Sequence, residues 1–471
     1  MKALVPIREA LTDPDLLGLA IPGESWRPWR TLLIAAMGEP LNDDERAILL
    51  GLTGRVEEPL QQVEELTAIV GRRGGKTRAA GTVGAYIATL CDHSGVLAPG
   101  ERGMLPILAA STTQADRAFM HVLGVLEHSP VLRPMIESRT ADMIRLTNKI
   151  DVQVRPANYR TVRGITAVAA IADEVAFWHL DGSSNPDAEI LNALRPALAT
   201  TGGPLIVISS PYAKRGELYG AFRRDYGPTG DPLIMVAKGP SRAFNPTLPQ
   251  RVVDRAFERD AAVAAAEYGG EFRNDIEAFV SREVVEACVA DGMFERPRAS
   301  GLRYFAFVDP SGGSNDAMTL AIGHQEGELA VLDVIRERKP PFSPEGVVTD
   351  FVATLKAYGI SRVTGDRYAG EWPREAFRKQ GIAYDLAEQP RSDLYRDMLP
   401  KLNSGQVLLL DSRDLVNQIA LLERRVSRGG RESIDHGPGP NAHDDLANAV
   451  AGLVALCSVP VIRGGRVRVT F

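Results

Sequence analysis

The sequence predicts an α/β protein made of two successive units. The first is a mainly parallel, doubly wound sheet, and the second, from Gly301 onward, a smaller mixed sheet. Three observations predict this. Leu66-Thr-Ala-Ile-Val70 reads as a buried strand running into a glycine-rich turn and then a helix. Ala167-Val-Ala-Ala-Ile-Ala172 is apolar without alternation, as in a parallel strand buried on both faces, and ends in Asp173-Glu174. Between Leu302 and Ile335 three strand-like runs follow one another across short turns, after which helical and strand patterns alternate.

A chain of 471 residues is long enough for two or three domains, and 44% hydrophobic with 24% charged residues is an ordinary globular composition. No apolar run reaches the roughly 18 residues that a spanning helix needs. The first residues, Met1-Lys-Ala-Leu-Val-Pro-Ile-Arg-Glu9, lack the apolar core of a secretion signal. Cys91, Cys288 and Cys457 are too far apart to suggest a metal motif or disulfide framework. A reducing, cytoplasmic setting is expected. The net charge of −6 argues against a nonspecific polycation, although nucleic-acid binding depends on local clusters of Arg and Lys.

Residues 1–65 read as mostly helical and contain the aromatic, basic cluster Trp26-Arg-Pro-Trp-Arg30. Near a nucleotide it can stack on a base; otherwise it is a packed helix start. Then comes Gly71-Arg-Arg-Gly-Gly-Lys-Thr77. Gly71, Gly74 and Gly75 let the backbone curl, so that N–H groups of the loop from Gly71 through Arg72 and Arg73 point inward. The helix N-terminus adds its positive dipole end. Lys76 is expected to reach β- and γ-phosphates and the Thr77 hydroxyl to ligate Mg²⁺; the alternative is a helix-capping loop with a chance Gly-Lys-Thr. The common pattern would place its first glycine at position 70, where Val70 stands; Gly71 comes one residue late.

The small-residue helix after Thr77 suits close packing on a sheet. Leu105–Ala110 is a second strand, and Ser111 an N-cap for a helix to about His128. Met143–Thr147 and Ile150–Val154 alternate around Asn148-Lys149 as a hairpin. At the end of the apolar strand, Asp173 would support Mg²⁺ and Glu174 would orient and deprotonate a water. Pro204–Pro211 repeats the strand-then-polar-tip theme, with Ser209 and Ser210 either sensing a γ-phosphate or forming a plain turn. Arg160 and Arg163 are arginine-finger candidates, against the alternative of solvated or salt-bridged side chains. Residues 1–240 are thus read as a nucleotide-binding domain and 241–300 as a linker, with a helix over Ala261–Arg273.

The second unit, 301–471, opens with strands Leu302–Val308, Ala317–Gly323 and Leu329–Ile335. A helix over 344–358, strand Ser361–Thr364, helix 372–380 and strand Ile382–Leu386 follow, then helices at 392–404, 413–425 and 443–457. This is the element order of an RNase H-like fold. Asp309 ends its first strand, Asp366 its fourth, and Asp444-Asp445 open its last helix. Carboxylates that converge without basic neighbours repel one another unless divalent cations lie between them. Two such ions can activate water and stabilise the leaving 3′-oxygen of a phosphodiester. Asp316 and His443 are possible assistants. Arg424-Arg-Val-Ser-Arg-Gly-Gly-Arg431 reads as a basic hairpin that grips a DNA backbone or as a solvated turn, and Arg463–Arg468 as a basic tail.

Taken in order, these motifs resemble the large terminase subunit of tailed bacteriophages over nearly the whole chain. Gly71–Thr77 is similar to that family's deviant phosphate loop, Ile171-Ala-Asp-Glu174 to its Asp-Glu motif, and Ser209-Ser-Pro211 to its coupling motif. Val308-Asp-Pro-Ser-Gly312, Gly365-Asp366 and His443-Asp-Asp-Leu-Ala447 are similar to its nuclease motifs. Asp366 stands where some members carry Glu, and Trp29-Arg30 matches the adenine segment poorly. The resemblance implies an ATPase that translocates double-stranded DNA into a procapsid and a metal-dependent endonuclease that cuts concatemers. It implies ATP with Mg²⁺ in the first unit, and Mg²⁺ or Mn²⁺, as two ions, in the second. Implied partners are a portal protein, a small terminase subunit and further copies in a pentameric ring, in the host cytoplasm and with no membrane. A helicase- or repair-type ATPase with a fused nuclease is the alternative.

Overall fold

The computed structural model describes residues 1–178, 186–273, 275–313, 316–366, 372–426, 432–437 and 443–458, with backbone alone at 112–114 and 159–160. It forms two compact units, Met1–Ile276 and Glu277–Phe471. Their boundary falls inside the 241–300 stretch that the sequence sets apart, so that Ser241–Ile276 joins the first unit and the remainder the second.

A short strand at Lys2–Ala3 and a one-turn helix at Ile7–Ala10 precede two longer helices, α1 (Arg27–Ala36) and α2 (Asp43–Thr53). A capping box starts α2: the Asn42 side chain accepts from Glu45 N–H, and the Glu45 carboxylate accepts from Asn42 N–H. Next come β1 (Glu65–Val70), α3 (Lys76–Leu90), β2 (Gly103–Ala109) and α4 (Thr112–His128). Strands β3 (Ile136–Arg139), β4 (Met143–Leu146) and β5 (Ile150–Pro156) form a meander. The rest are β6 (Ala170–Asp173), α5 (Pro186–Ala199), β7 (Leu205–Ser209), α6 (Gly216–Asp225) and β8 (Ile234–Gly239).

The strand order is β8-β1-β7-β6-β2-β5-β4-β3, parallel from β8 to β5 and antiparallel beyond. This is the expected doubly wound sheet. Leu66, Ala68 and Val70 of β1 pack into one core with α3 and α4, whereas Ile69 packs into the other with α5. The period-2 alternation therefore feeds two apolar layers, and β1 is buried at all six positions. The topology also fixes the site: β7 lies between β1 and β6, so the tips of these three strands share one edge. Helix α7 (Gln250–Arg259) is followed by α8 (Ala261–Glu267), capped by the Asp260 carboxylate. The helix expected to reach Arg273 ends at Glu267, ahead of Gly269-Gly270.

In the second unit, β9 (Val289–Ala290) precedes β10 (Tyr304–Asp309), β11 (Met318–Glu326) and β12 (Leu329–Arg338). Then follow α9 (Pro344–Ala357), β13 (Arg362–Gly365), α10 (Trp372–Lys379), β14 (Ala383–Leu386), α11 (Arg391–Asn403) and β15 (Val407–Leu410). Helix α12 (Arg413–Ala420), hairpin β16 (Leu422–Val426) and β17 (Glu432–His436), and α13 (Asp445–Leu456) complete it. The sheet order is β9-β15-β12-β11-β10-β13-β14. Strands β10, β11 and β12 are an antiparallel meander, while β13 runs parallel to β10 and β14 parallel to β13. Counting from β10, the first five strands lie in the order 3-2-1-4-5, the RNase H-like arrangement. The helix expected over 413–425 stops at Ala420, because Leu422–Val426 pairs with Glu432–His436 instead.

Helix α13 lies against β10 through Gly452, where an added Cβ would sit 2.3 Å from the Phe307 ring. That close approach places the first turns of α13 beside the end of β10. Cys91, Cys288 and Cys457 are buried free thiols. Among the described residues no helix is long and apolar enough to cross a membrane.

Candidate active sites

In the first unit, β1 delivers the chain into Gly71–Gly75 and α3 begins at Lys76. Gly75 has φ 86°, and a Cβ there would meet the Trp26 ring at 2.8 Å, so only glycine fits. The loop is held from outside. Trp29 Nε1 donates to Gly74 O at 2.6 Å, Ser241 Oγ to Arg72 O at 2.6 Å, and Asn245 Nδ2 to Arg73 O at 2.8 Å. Arg72 also pairs with Glu267 at 3.1 Å, and Arg73 is exposed. With its carbonyls tied down, the loop keeps the first N–H groups of α3, which have no intrahelical acceptor, available to an anion.

Lys76 is 6% exposed and points along the strand tips. Its Nζ donates to Ser210 Oγ at 3.0 Å and is ion-paired with Glu174 Oε1 at 3.0 Å. The other Glu174 oxygen accepts from Ser210 N–H at 3.0 Å and Ser209 Oγ at 3.3 Å. Glu174 adopts φ 55°, a left-handed conformation that costs a non-glycine residue on the order of 1 kcal/mol. Thr77 Oγ1 lies 3.4 Å from Asp173 Oδ2, and Asp173 Oδ1 is buried without a hydrogen-bond partner. Burial, and then the Glu174 charge, push the Asp173 carboxyl up to about 7. A buried carboxylate oxygen without a donor, beside a threonine hydroxyl at the mouth of a phosphate-type loop, is a donor set suited to Mg²⁺. Trp178 was not singled out from the sequence; its Nε1 donates to Asp173 O at 2.9 Å and fixes the strand end.

In the second unit, Asp309, Asp316, Asp366, His443, Asp444 and Asp445 line one cavity of about 840 Å³. Strand register brings Asp309 and Asp366 together, because β13 pairs with β10 up to Val308 and Gly365. Asn448 connects them: its Nδ2 donates to Asp309 Oδ2 at 2.8 Å and to Asp366 Oδ2 at 3.1 Å. Asn448 is 1% exposed, and its Oδ1 is buried without a partner. Asp445 Oδ2 accepts from Ala317 N–H at 3.2 Å and lies 3.9 Å from His443 Nδ1. Asp444 Oδ1 accepts from Arg391 at 3.0 Å and its Oδ2 from Tyr395 OH at 2.8 Å. Burial is the main cause that holds Asp309 well above the usual carboxylate range, with Asp445 and Asp366 adding repulsion. The same effect, followed by repulsion from Asp444, raises Asp445 to about 7.

The expected carboxylates thus share a cavity but not one tight cage. Among the described residues, the three-residue group whose ligand atoms lie within 4.8 Å of one another is Asp435, His436 and Asp444. Asp309, Asp366 and Asp445 are spaced more widely, since the Asn448 amide occupies the gap between the first two and the Ala317 N–H holds the third. Mutually repelling carboxyls around an open cavity are a donor set suited to divalent cations, which would offset that repulsion when bound.

Other expected residues lie elsewhere. Trp29 is 1% exposed and packs on Phe244 at 4.9 Å, so it supports the loop and has no face for a base. Arg30 is spent on the Ile21 and Gly23 carbonyls. Arg163 lines a separate groove with Glu189 and Asn192, and the side chain of Arg160 lies outside the described residues. Asp316 is exposed at the cavity rim, its carbonyl accepting from Ser311 Oγ at 2.6 Å. The basic segment is a hairpin, but Arg424 pairs with Glu432 and Arg425 with Glu423 at 3.0 Å. Arg428, Arg431 and the tail Arg463–Arg468 lie outside the described residues.

No protein-family model matches the chain, nor does any curated protein. Among solved structures, the chain is similar to the large terminase of bacteriophage HK97 at 16% identity and TM-score 0.39, covering 92% of this chain and 99% of that one. It is similar to the large terminase of a thermophilic bacteriophage at 11% identity and TM-score 0.38, covering 91% and 98%. The large terminase nuclease of the thermophilic phage G20c with bound magnesium matches at 14% identity and TM-score 0.33, covering 38% of this chain and 98% of that one. These likenesses are too distant to assign a function by themselves.

Proposed function

We propose that the chain is the motor and cutting subunit of a viral DNA-packaging machine. ATP hydrolysis in residues 1–240 drives double-stranded DNA into a procapsid, and a metal-dependent endonuclease in 301–471 cuts concatemeric DNA, with 241–300 between them. The observation that carries this reading is the pair of acid clusters in one chain. One is coupled to a lysine at a phosphate-type loop, and the other is gathered around an open cavity at the end of an RNase H-like sheet. The proposed setting is the host cytoplasm, with portal protein, a small terminase subunit and a ring of like subunits, five in number, as partners.

In the first cluster, the loop N–H groups and Lys76 bind the β- and γ-phosphates, and Thr77 with Asp173 hold Mg²⁺, which neutralises phosphate charge when bound. Lys76 has one ammonium group for two tasks. As it turns to phosphate, the 3.0 Å pair with Glu174 is lost and the carboxylate is left to orient and deprotonate water. Ser210 contacts both Lys76 and Glu174, so it registers that exchange at the tip of β7. In the second cluster, Asp309, Asp366 and Asp445 hold two divalent cations, Mg²⁺ or Mn²⁺, which supply Lewis acidity for attack on a phosphodiester. Asn448 sets the spacing of Asp309 and Asp366.

The test is a set of assays on the purified chain. Expected are ATP hydrolysis stimulated by double-stranded DNA, plasmid cleavage that requires Mg²⁺ or Mn²⁺, and no separation of strands. ATP-dependent strand displacement would favour the helicase- or repair-type reading, and absence of both ATP turnover and cleavage would reject both readings.

A further inference from the structure

We propose that Asp444 is not a metal ligand but the anchor of a clamp that presents Arg391 to a phosphate of the bound DNA strand. The inference rests on the nuclease reading and names a substrate contact within that site. Both Asp444 oxygens are already occupied, Oδ1 by Arg391 at 3.0 Å and Oδ2 by the hydroxyl of Tyr395 at 2.8 Å. Asp444 is 3% exposed and Tyr395 0%, so neither bond competes with bulk water. Neighbouring Asp445 lines the same cavity but is held more loosely: its Oδ2 accepts a single peptide N–H, from Ala317, with His443 Nδ1 3.9 Å away.

Arg391 opens α11 at the cavity wall, with about a third of its side chain exposed. Its Nη2 also donates to Asp435 Oδ1 at 2.9 Å, on β17. The guanidinium therefore spans Asp435 and Asp444, two of the three residues whose atoms are spaced for a cation. The protein supplies that positive charge itself. A guanidinium has five N–H donors in a planar fork, and two bonds leave the others for an acceptor in the cavity. Anchoring at two points removes most of the rotamer freedom that a lone surface arginine loses on binding. Arginine held in this way suits a phosphodiester oxygen, which is anionic and accepts two N–H bonds at once.

The experiment measures binding of a short duplex DNA in EDTA as a function of salt, alongside Mn²⁺ binding followed without DNA, for wild type, R391A, R391K, D444N and the R391A/D444N pair. R391A should lower affinity about tenfold and reduce the slope of log K against log salt by about one. R391K should recover the slope but not the full affinity, because an ammonium cannot span both anchors. D444N should weaken DNA binding in the same direction, the double variant should be no worse than R391A, and Mn²⁺ affinity should not fall below the wild-type value. Loss of Mn²⁺ affinity in D444N with normal DNA binding would overturn the proposal, as would an unchanged salt slope in R391A. DNA binding that responds as expected in a protein that never cuts DNA would sink the nuclease reading and leave the clamp standing.

Discussion

Glu174 in the first unit is ion-paired with Lys76 at 3.0 Å, whereas Asp309 and Asp366 in the second both accept from the neutral amide of Asn448. Both clusters sit at the polar ends of parallel strands and both hold a carboxyl raised to about 7, Asp173 in one and Asp445 in the other. The difference lies in compensation. The first cluster carries a cation of its own, which, on the proposed function, a bound phosphate would draw away. In the second, Arg391 stands at the edge, bound to Asp444, while Asp445 and Asp366 add repulsion at the buried Asp309. The proposed function thus has one site exchanging a partner and the other acquiring charge.

The largest effects should separate the two completely. K76A removes both the phosphate contact and the partner of Glu174, so ATP turnover should fall by about 10³-fold or more with cleavage of plasmid DNA retained. Parallel steady-state assays check this. Next, N448A should lower cleavage and Mn²⁺ affinity by about 10–100-fold without touching ATP hydrolysis, as removal of a residue that orients metal ligands does. Equal loss in both activities would instead mark Asn448 as a folding residue.

A pH comparison sharpens the contrast. Asp445 and Asp309 must be ionised to bind a cation, and their folded values are raised. At limiting Mg²⁺, cleavage should therefore rise with pH through about 7, and the midpoint should move lower as Mg²⁺ is increased. For stability the sign is opposite. Groups that hold protons more tightly when folded stabilise the protein fully below their unfolded values near 4, and that contribution is lost as pH rises through about 7. In EDTA, D445N should raise Tm at pH 8 by several degrees, at about 2–4 °C per kcal/mol, and leave it unchanged at pH 4. Calorimetry with and without Mn²⁺ gives the answer. The smallest effect should come from W29F, which deletes the 2.6 Å bond to Gly74 O. A loss of about 1 kcal/mol should appear as roughly fivefold weaker ATP binding, with cleavage unchanged.

Much of this was legible in the chain itself, and the part that was not has a common cause. The apolar run into Asp173-Glu174 and the glycines before Lys76 are local patterns, and so are the acidic tips at Asp309 and Asp366. Asn448 looks like any polar residue of a helix. Its role comes from carboxylates 139 and 82 positions away. Arg391 and Tyr395 read as parts of an ordinary helix until Asp444, 53 and 49 positions on, is placed beside them. The same holds for strands. Val407–Leu410 is four residues long and gains its identity from pairing with β12, and Leu422–Val426 follows its helix directly yet pairs across the hairpin. Ile234–Gly239 at the sheet edge likewise depends on β1. Trp29 reads in sequence either as a stacking residue or as part of a packed helix start; its buried indole N–H holds the loop, as in the second reading.

The central claim, that one chain carries two chemically separate sites, is tested most directly by measuring ATP hydrolysis and metal-dependent plasmid cleavage in parallel for E174A and D309A. E174A is expected to lose ATP turnover and still cut, and D309A to hydrolyse ATP and not cut. Loss of both activities in each folded variant would contradict it.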